Sequence, residues 1–466
     1  MLKAVIDFFK EPPAKEEIKD EEQVKKMYSH FRWRVFYSSF IAYIVFHLCR
    51  KNLAVALPSM GKELHLTNTE LGLLGSTLYL TYGIGKFVNG ILADRSNVRT
   101  FLPTALILSA ICNFCFVISA IFVTPGHVSF FGLPSATILL WLMAFFWGAN
   151  GWFQSMGFPP VAKTLSYWFS NSERGTKWSI WSTSHQLGVF FAVMLSGFAI
   201  EHLGWKAAFY VPAIVCVITG AWLYNRLRDK PQSLGLPDIE KYKNEPTVVA
   251  EKDSEADLSY GQIFKKYILC NPVIWMLAVA YIFVYIVRFG TEDWLVKYLV
   301  EVKGDSLTLA SSKLSSLALI GAFGAISAGV ISDKVFKGNR TPINIIFLVG
   351  LVVSLICFQL NTNSMMDFVW AALIGMFTSG PQLLIGGLCA VESSSKKVAS
   401  ASIGFTGAFG YLGAVLSSSG TGFMVDKFGW NGAIYFWIIA AIICIVICFG
   451  IWGFDVARKK KAQANQ

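Results

Sequence analysis

Twelve apolar runs, each about as long as a bilayer is thick, constrain this chain more than any other feature. They fall at 33–57, 70–92, 101–123, 134–158, 176–200, 206–226, 272–298, 308–331, 342–360, 367–390, 399–424 and 431–453. About 20 apolar residues in a helix cross the hydrocarbon core, where no water satisfies an unpaired backbone N–H or C=O. Each run is therefore expected to be a helix. A chain of 466 residues that is 54% hydrophobic and only 15% charged is not a soluble domain. Its 38 Phe and 15 Trp suit rings that face lipid and its interfaces. The expected fold is all-α and membrane-integral, with twelve transmembrane helices.

Polar stretches divide the chain. Residues 1–32 read as an N-terminal tail, 33–226 as a first six-helix bundle, 227–271 as a linker, 272–453 as a second six-helix bundle and 454–466 as a C-terminal tail. Lys and Arg collect on one side: Lys3, Lys10, Lys15, Lys19, Lys25, Lys26 and Arg32, then Arg95 and Arg99, Arg174 and Lys177, and the linker. Lys334, Lys337, Arg340, Lys396, Lys397 and the run Arg458 to Lys461 complete it, whereas the loops TPGHVSFFGL and NTNSMMD carry none. Basic loops stay in the cytoplasm, so both termini and the linker are expected there. The net charge of +11 follows this topology, and no basic stripe interleaved with aromatics points to nucleic acid. The first 30 residues mix both charge signs, so no cleavable leader is expected. Nine cysteines lie in or beside apolar runs. The pair Cys112 and Cys115 lacks the polar surroundings and second ligand pair of a metal or redox centre, and no metal or cofactor is expected.

The two halves repeat. Gly90-x-x-x-Asp94-Arg95 returns 239 residues later as Gly329-x-x-x-Asp333-Lys334. Leu187-Gly188 and Gly204-Trp205 return 225 residues later as Leu412-Gly413 and Gly429-Trp430. Two parallel repeats of six spans are the layout of the major facilitator architecture, which implies transport with a site between the halves near the midplane.

Candidate chemistry lies in two matching spans. YIVFHLCRKN, Tyr43 to Asn52, ends the first apolar run with Arg50; YIFVYIVRFG sets Arg288 in the seventh, its repeat partner. A charge deep in a bilayer costs roughly 2.5–3.5 kcal/mol on insertion scales, so one found there is read as functional. His47 and Tyr43 precede Arg50 by three and seven residues, and Tyr285 and Tyr281 precede Arg288 by the same steps. That spacing puts each trio on one helical face. The competing reading is a pair of arginines snorkelling from helix ends, which the helix-compatible residues after Arg288 weaken. Two guanidinium forks carry +2 and match a phosphate monoester of about −1.5 to −2, whereas a monocarboxylate would leave the site overcharged.

Other polar residues in the spans add to the set. Lys86, in YGIGKFVNG, is either a third anion attractor or a lysine that snorkels toward Asp94. His185, in STSHQLG, is expected to contact the ligand, because imidazole both donates and accepts. Gln154, in GWFQSMG, and Tyr411, in GAFGYLG, are candidate contacts for sugar hydroxyls. Glu292 and Asp293 follow Arg288, and one is expected to pair with Lys297 or with Arg288 itself. Asp94, Arg95 and Arg99, with Asp333, Lys334 and Arg340, sit in short loops and are expected to form a charge latch that breaks and reforms during gating. No HExxH, GxSxG or carboxylate cluster supports an enzyme.

Longer motifs then identify a family. They are RKN at 50–52, YGIGKF at 82–87, DRSNVRTFLP at 94–103, GWFQSMGFPP at 151–160, ERG at 173–175 and HQLG at 185–188. RLRDKPQSLGLP at 226–237, VYIVRFGTEDW at 284–294, SDKVFKGNR at 332–340, GPQLLIG at 380–386 and GFTGAFGYLG at 404–413 complete them. With these the chain resembles the organophosphate:phosphate antiporters over nearly its whole length. The resemblance implies that Arg50 and Arg288 hold the phosphate and that His185 lines the site. It also implies exchange of external organic phosphate for internal inorganic phosphate, by a monomer in a bacterial inner membrane. RLRDKPQSLGLP, NPVIWML and SDKVFKGNRTPINIIF are most similar to the hexose-phosphate transport and receptor branch. Glucose 6-phosphate is the favoured substrate, with glycerol 3-phosphate carriage or a sensing role as alternatives. Hexose-phosphate uptake carriers have an acidic and a basic residue where this chain has Ile403 and Thr406, which leaves the sugar open.

Overall fold

A computed structural model of the protein describes residues 7–122, 135–245, 260–394 and 398–464, and these are almost entirely helical. Lys3, Lys396, Lys397, the loop at 124–133 and the linker residues 246–259 lie outside the described residues, as do the side chains of Arg458 to Lys461. The long helices are α1 (Glu21–Leu64), α2 (Asn68–Asp94), α3 (Val98–Phe122), α4 (Ser135–Ser155), α5 (Phe158–Trp168), α6 (Asn171–Leu203) and α7 (Ala207–Arg226). They continue as α8 (Pro272–Glu301), α9 (Leu307–Lys334), α10 (Arg340–Leu360), α11 (Ser364–Leu383) and α12 (Ala399–Ala464).

Among the described residues, ten stretches are long and apolar enough to cross a membrane. Two features reconcile this number with twelve spans. The helix α2 is 27 residues long, but Lys86 and its tyrosines and glycines lower its hydropathy. The 66 residues of α12 would measure about 100 Å as one rod, three times a hydrocarbon core of about 30 Å. Gly429, at φ 68° and ψ −174°, breaks that rod in two. Its repeat partner Gly204, at φ 80°, separates α6 from α7 in the same way. Both Gly-Trp pairs seen in the sequence are thus turns between consecutive spans, at backbone angles that favour glycine.

The chain divides into two compact units: residues 1–53 with 81–251, and 54–80 with 252–466. The outer part of α1 and the first part of α2 therefore group with the C-terminal helices. Within the second unit, α9 and α11 approach backbone to backbone: a Cβ on Gly375 would lie 2.0 Å from the Leu317 carbonyl oxygen. Such small-residue seams replace the hydrophobic drive that lipid surroundings remove.

The first unit differs from expectation at its N-terminus. The helix α1 begins at Glu21, twelve residues before the expected apolar run, and residues 9–18 form a strap on the bundle. Asn97 N–H donates to the Phe9 carbonyl at 2.8 Å, Lys15 N–H to Gln232 at 3.0 Å and Ile18 N–H to Gly235 at 2.8 Å. The start of the linker is docked as well. The Trp168 indole donates to the Asp229 carbonyl at 2.7 Å, and Arg174 pairs with Glu240 at 3.3 Å.

Candidate functional site

In the first unit Tyr43, His47 and Arg50 do share one side of α1. Tyr43 and His47 are buried, and the Arg50 guanidinium lies over the Tyr82 ring of α2, 4.4 Å from its centroid. His185 on α6 joins them: its ring is 4.4 Å from that of Tyr43 and 5.9 Å from that of His47. Trp181, one turn earlier, packs against both Tyr43 at 4.7 Å and His185 at 5.2 Å. Gly188 makes this approach possible, since a Cβ there would sit 2.8 Å from His47 Nδ1. The His47 Nδ1 pairs with the Tyr43 carbonyl at 2.9 Å and the His185 Nδ1 with the Ser182 carbonyl at 3.1 Å. Each imidazole is thereby oriented by its own helix.

Gln154 bonds within its own bundle. Its amide nitrogen donates to the Phe46 carbonyl at 2.9 Å and to Ser109 Oγ at 2.8 Å, so both amide hydrogens are committed inside the bundle. Ser109 donates on to Asn150 at 2.6 Å, and Asn150 and Asn113 donate to the Cys49 carbonyl at 2.7 and 3.3 Å. Asn52 reaches Asn113 at 2.8 Å and the Ala208 carbonyl at 3.0 Å. This network ties the back of α1 to α3, α4 and α7. Polar residues buried in a membrane bundle hold helices rather than face lipid. Lys86 is half-buried on α2, while neighbouring Gly85 and Asn89 pack on Ser155.

In the second unit Arg288 sits between the rings of Tyr285 and Phe289, 5.7 and 5.1 Å from their centroids. The Tyr281 hydroxyl donates to that of Tyr285 at 3.2 Å, and Tyr411 closes on Tyr285 at 5.9 Å between rings. Gly386 leaves the space for Tyr281, whose Cζ would lie 2.0 Å from a Cβ there. The open question about Glu292 is resolved: Arg288 Nε donates to its Oε1 at 2.9 Å. Lys297 pairs one turn on with Glu301, and Asp293 accepts from Tyr79. Arg288 thus carries its own counter-ion within the second unit.

The latch forms differently in each unit. Arg340 pairs with Asp333 and, at 3.0 Å, with Glu392, while Lys334 is exposed. Asp94 and Arg95 are also exposed, and Arg99 donates to the Tyr224 carbonyl at 2.7 Å. The first unit's ion cluster centres instead on Lys163, which pairs with Glu11 and, at 3.4 Å, with Asp229; Glu11 also meets Lys230 at 2.9 Å. Lys163 is buried, so its charge requires partners. Burial pushes the Glu11 carboxyl up, but Lys163 and Lys230 outweigh it and hold Glu11 below the usual carboxylate range. Burial also raises Asp229, partly offset by the Val98 N–H and by Lys163.

Sequence reading missed Tyr82, Trp181, the Asn–Ser network and the buried Lys51 beside Arg50. Tyr82 and Lys51 stood within quoted motifs, YGIGKF and RKN, and an aromatic or basic residue beside a candidate ligand was the available signal.

Two units of membrane-length helices, with Arg50 and Arg288 against aromatic rings at matching repeat positions, define the class: a polytopic helical membrane protein built by duplication. The Major Facilitator Superfamily profile matches residues 39–418. A probable hexose phosphate transport protein of Chlamydia trachomatis serovar D is 40% identical over 97% of this chain and 98% of its own. The glycerol-3-phosphate transporter of Bacillus subtilis is 37% identical, over 96% and 98%. The membrane sensor protein UhpC of Escherichia coli is 34% identical, over 94% and 95%. The inward-facing structure of a bacterial homologue of the human lysosomal transporter Spinster superposes with a TM-score of 0.67. At 16% identity, over 91% of this chain and 96% of that one, it shares the fold. The chain belongs to the major facilitator superfamily, in its organophosphate:phosphate antiporter branch. It is an integral membrane transporter-family protein and not an enzyme.

Proposed function

We propose that the protein is a secondary active transporter that exchanges external sugar phosphate, glucose 6-phosphate first of all, for internal inorganic phosphate by alternating access. One observation carries the reading: Arg50 and Arg288, repeat partners in membrane spans, each stand among aromatic rings. Low-dielectric surroundings favour a phosphate there, and guanidinium forks match its oxygens. The names of the relatives, which span hexose phosphate and glycerol 3-phosphate, support a phosphate-ester substrate. In this reading Tyr43, His47, His185 and Lys86 serve the Arg50 side, and Tyr281, Tyr285 and Tyr411 the Arg288 side.

Glu292 gives exchange a local cause. Without substrate it balances Arg288; a phosphate takes its place and releases it, so Arg288 never stands uncompensated. Residues 33–226 and 272–453 serve as the bundles that move, joined by 227–271, in a bacterial inner membrane with both termini in the cytoplasm and the monomer as the working unit. The test uses phosphate-loaded proteoliposomes given labelled glucose 6-phosphate. Uptake above that of empty vesicles, lost in Arg50→Gln and in Arg288→Gln, is expected; no uptake overturns the proposal. The similarity to a membrane sensor favours one second reading. A sensor binds glucose 6-phosphate in the same preparation without turnover.

A further inference from the structure

At the end of the second unit that carries Arg340, the start of α8, the start of α10, the Cys389–Glu392 helix and the last part of α12 enclose a cleft of about 470 Å³. It is lined by the charged Lys337, Arg340 and Glu392 and by an apolar floor that includes Leu277, Ile385 and Ile451. Arg340 is already balanced by Glu392 at 3.0 Å and by Asp333, and also reaches Ser332 Oγ at 3.1 Å. Lys337 is exposed in the turn before α10, and no ion pair is formed by it among the described residues. In the wall, Asn344 is 2% exposed; its Nδ2 makes only a long contact to Cys389 Sγ at 3.9 Å, and its Oδ1 has no hydrogen-bond partner. Buried amide oxygens rarely stay unpaired, and Asn344 is one of the residues lining the cleft.

The repeat supplies a second, independent pointer. Asp94 to Val98 is the repeat partner of Asp333 to Lys337. In the first unit this place, at the start of α3, is closed by the chain itself. The Glu11 carboxylate lies on Lys163 and Lys230, and the Phe9 ring beside it packs on Phe101 with centroids 6.0 Å apart. An anion with an apolar neighbour thus fills the first copy. The second copy presents a cleft of the same character.

We propose that this cleft binds a hydroxylated phosphate ester. The phosphate sits at Lys337 and the first turn of α10, where the helix dipole favours an anion, although Asn339 Oδ1 already accepts from the Thr341 N–H at 3.4 Å. A hydroxyl donates to Asn344 Oδ1. Two sources share this chemistry: the headgroup of phosphatidylglycerol, whose acyl chains continue over the apolar floor, and free glycerol 3-phosphate.

The full chain, purified in detergent, is assayed in two arms. Native mass spectrometry counts phosphatidylglycerol retained against phosphatidylethanolamine, and equilibrium dialysis counts bound glycerol 3-phosphate. In both Lys337→Ala and Asn344→Leu the occupied arm is expected to weaken by about five-fold or more, the worth of one lost cationic contact in the first and one lost hydrogen bond in the second. Loss in the lipid arm identifies the headgroup; loss of one bound molecule in the dialysis arm identifies the free ester. No loss in either arm overturns the proposal, and loss in only one variant overturns the two-point contact. Lys337 lies in an exposed turn, so its variant folds whatever Asn344→Leu does.

Discussion

Replacing Glu292 by glutamine isolates the idea that Arg288 alternates between an internal carboxylate and a substrate phosphate. The pair is close, with Nε to Oε1 at 2.9 Å, and its side chains are 24% and 11% exposed. At that distance two unit charges attract by about 6 kcal/mol at an effective dielectric near 20. The substitution forfeits less, because the amide oxygen still accepts from Nε. The difference between a charge-assisted and a neutral hydrogen bond is about 1–2 kcal/mol. A phosphate that must displace Glu292 recovers that amount when the competitor is neutral. Inorganic phosphate should therefore bind Glu292→Gln about 5- to 30-fold more tightly than wild type. The gain should lie in slower release, so exchange in proteoliposomes slows while affinity rises. Equilibrium binding in detergent and counterflow in vesicles read the two quantities. A dissociation constant within about two-fold of wild type, or a weaker one, refutes the competition between Glu292 and phosphate.

Three further outcomes follow from the same geometry. In Gly188→Val the new side chain meets His47, whose Nδ1 is 2.8 Å from the Cβ position; overpacking of this kind costs about 1–3 kcal/mol. Substrate affinity is expected to fall about ten-fold in a binding titration as the His47–Tyr43–His185 stack opens. Gln154→Leu removes two bonds, to Phe46 and Ser109. At about 0.6 kcal/mol each the thermal midpoint drops slightly while KM is unchanged, whereas a raised KM would restore Gln154 to the sugar. The strap responds to acid. Glu11 has a folded pKa below its ordinary 4.5, so its contribution is complete above that value and lost as pH falls through the folded one. Hydrogen exchange of residues 9–18 should accelerate there and hold steady at neutral pH.

What the sequence disclosed was what short spacing encodes. The trio Tyr43, His47 and Arg50 is one helical face by its three- and four-residue steps, and so is Tyr281, Tyr285 and Arg288. Gly204 and Gly429 were legible as repeated punctuation, and both are positive-φ breaks. Partners drawn from other helices were not legible. Nothing local to Gln154 distinguishes a hydroxyl contact from a bond to the Phe46 carbonyl; the packing of α4 on α1 decides it. Lys313 shows the same limit: it is fully buried against Asp305 and Asp367, the latter at 3.3 Å, yet in sequence it is one lysine near the start of an apolar run. The strap was hidden by composition, since a mixed-charge segment reads as solvated until Lys163 is found buried and in need of Glu11.

Duplication gives this protein two copies of each device, and the copies have diverged in how charge is compensated. Arg50 lies over the face of the Tyr82 ring. Arg288 has a carboxylate one turn away, which neutralises it until something better arrives. At the latch loops the first copy takes its anion from its own N-terminus, at Glu11. In the second, Arg340 is balanced by Asp333 and Glu392, and Lys337 stands over a cleft. Where two carboxylates share one buried lysine, as Glu11 and Asp229 do at Lys163 and Asp305 and Asp367 at Lys313, the position is structural. On the proposed function, a cation held by a single carboxylate is one for which a mobile phosphate can compete. On the two proposals, that distinction separates Arg288 and Lys337, which meet ligand, from Lys163 and Lys313, which hold the scaffold.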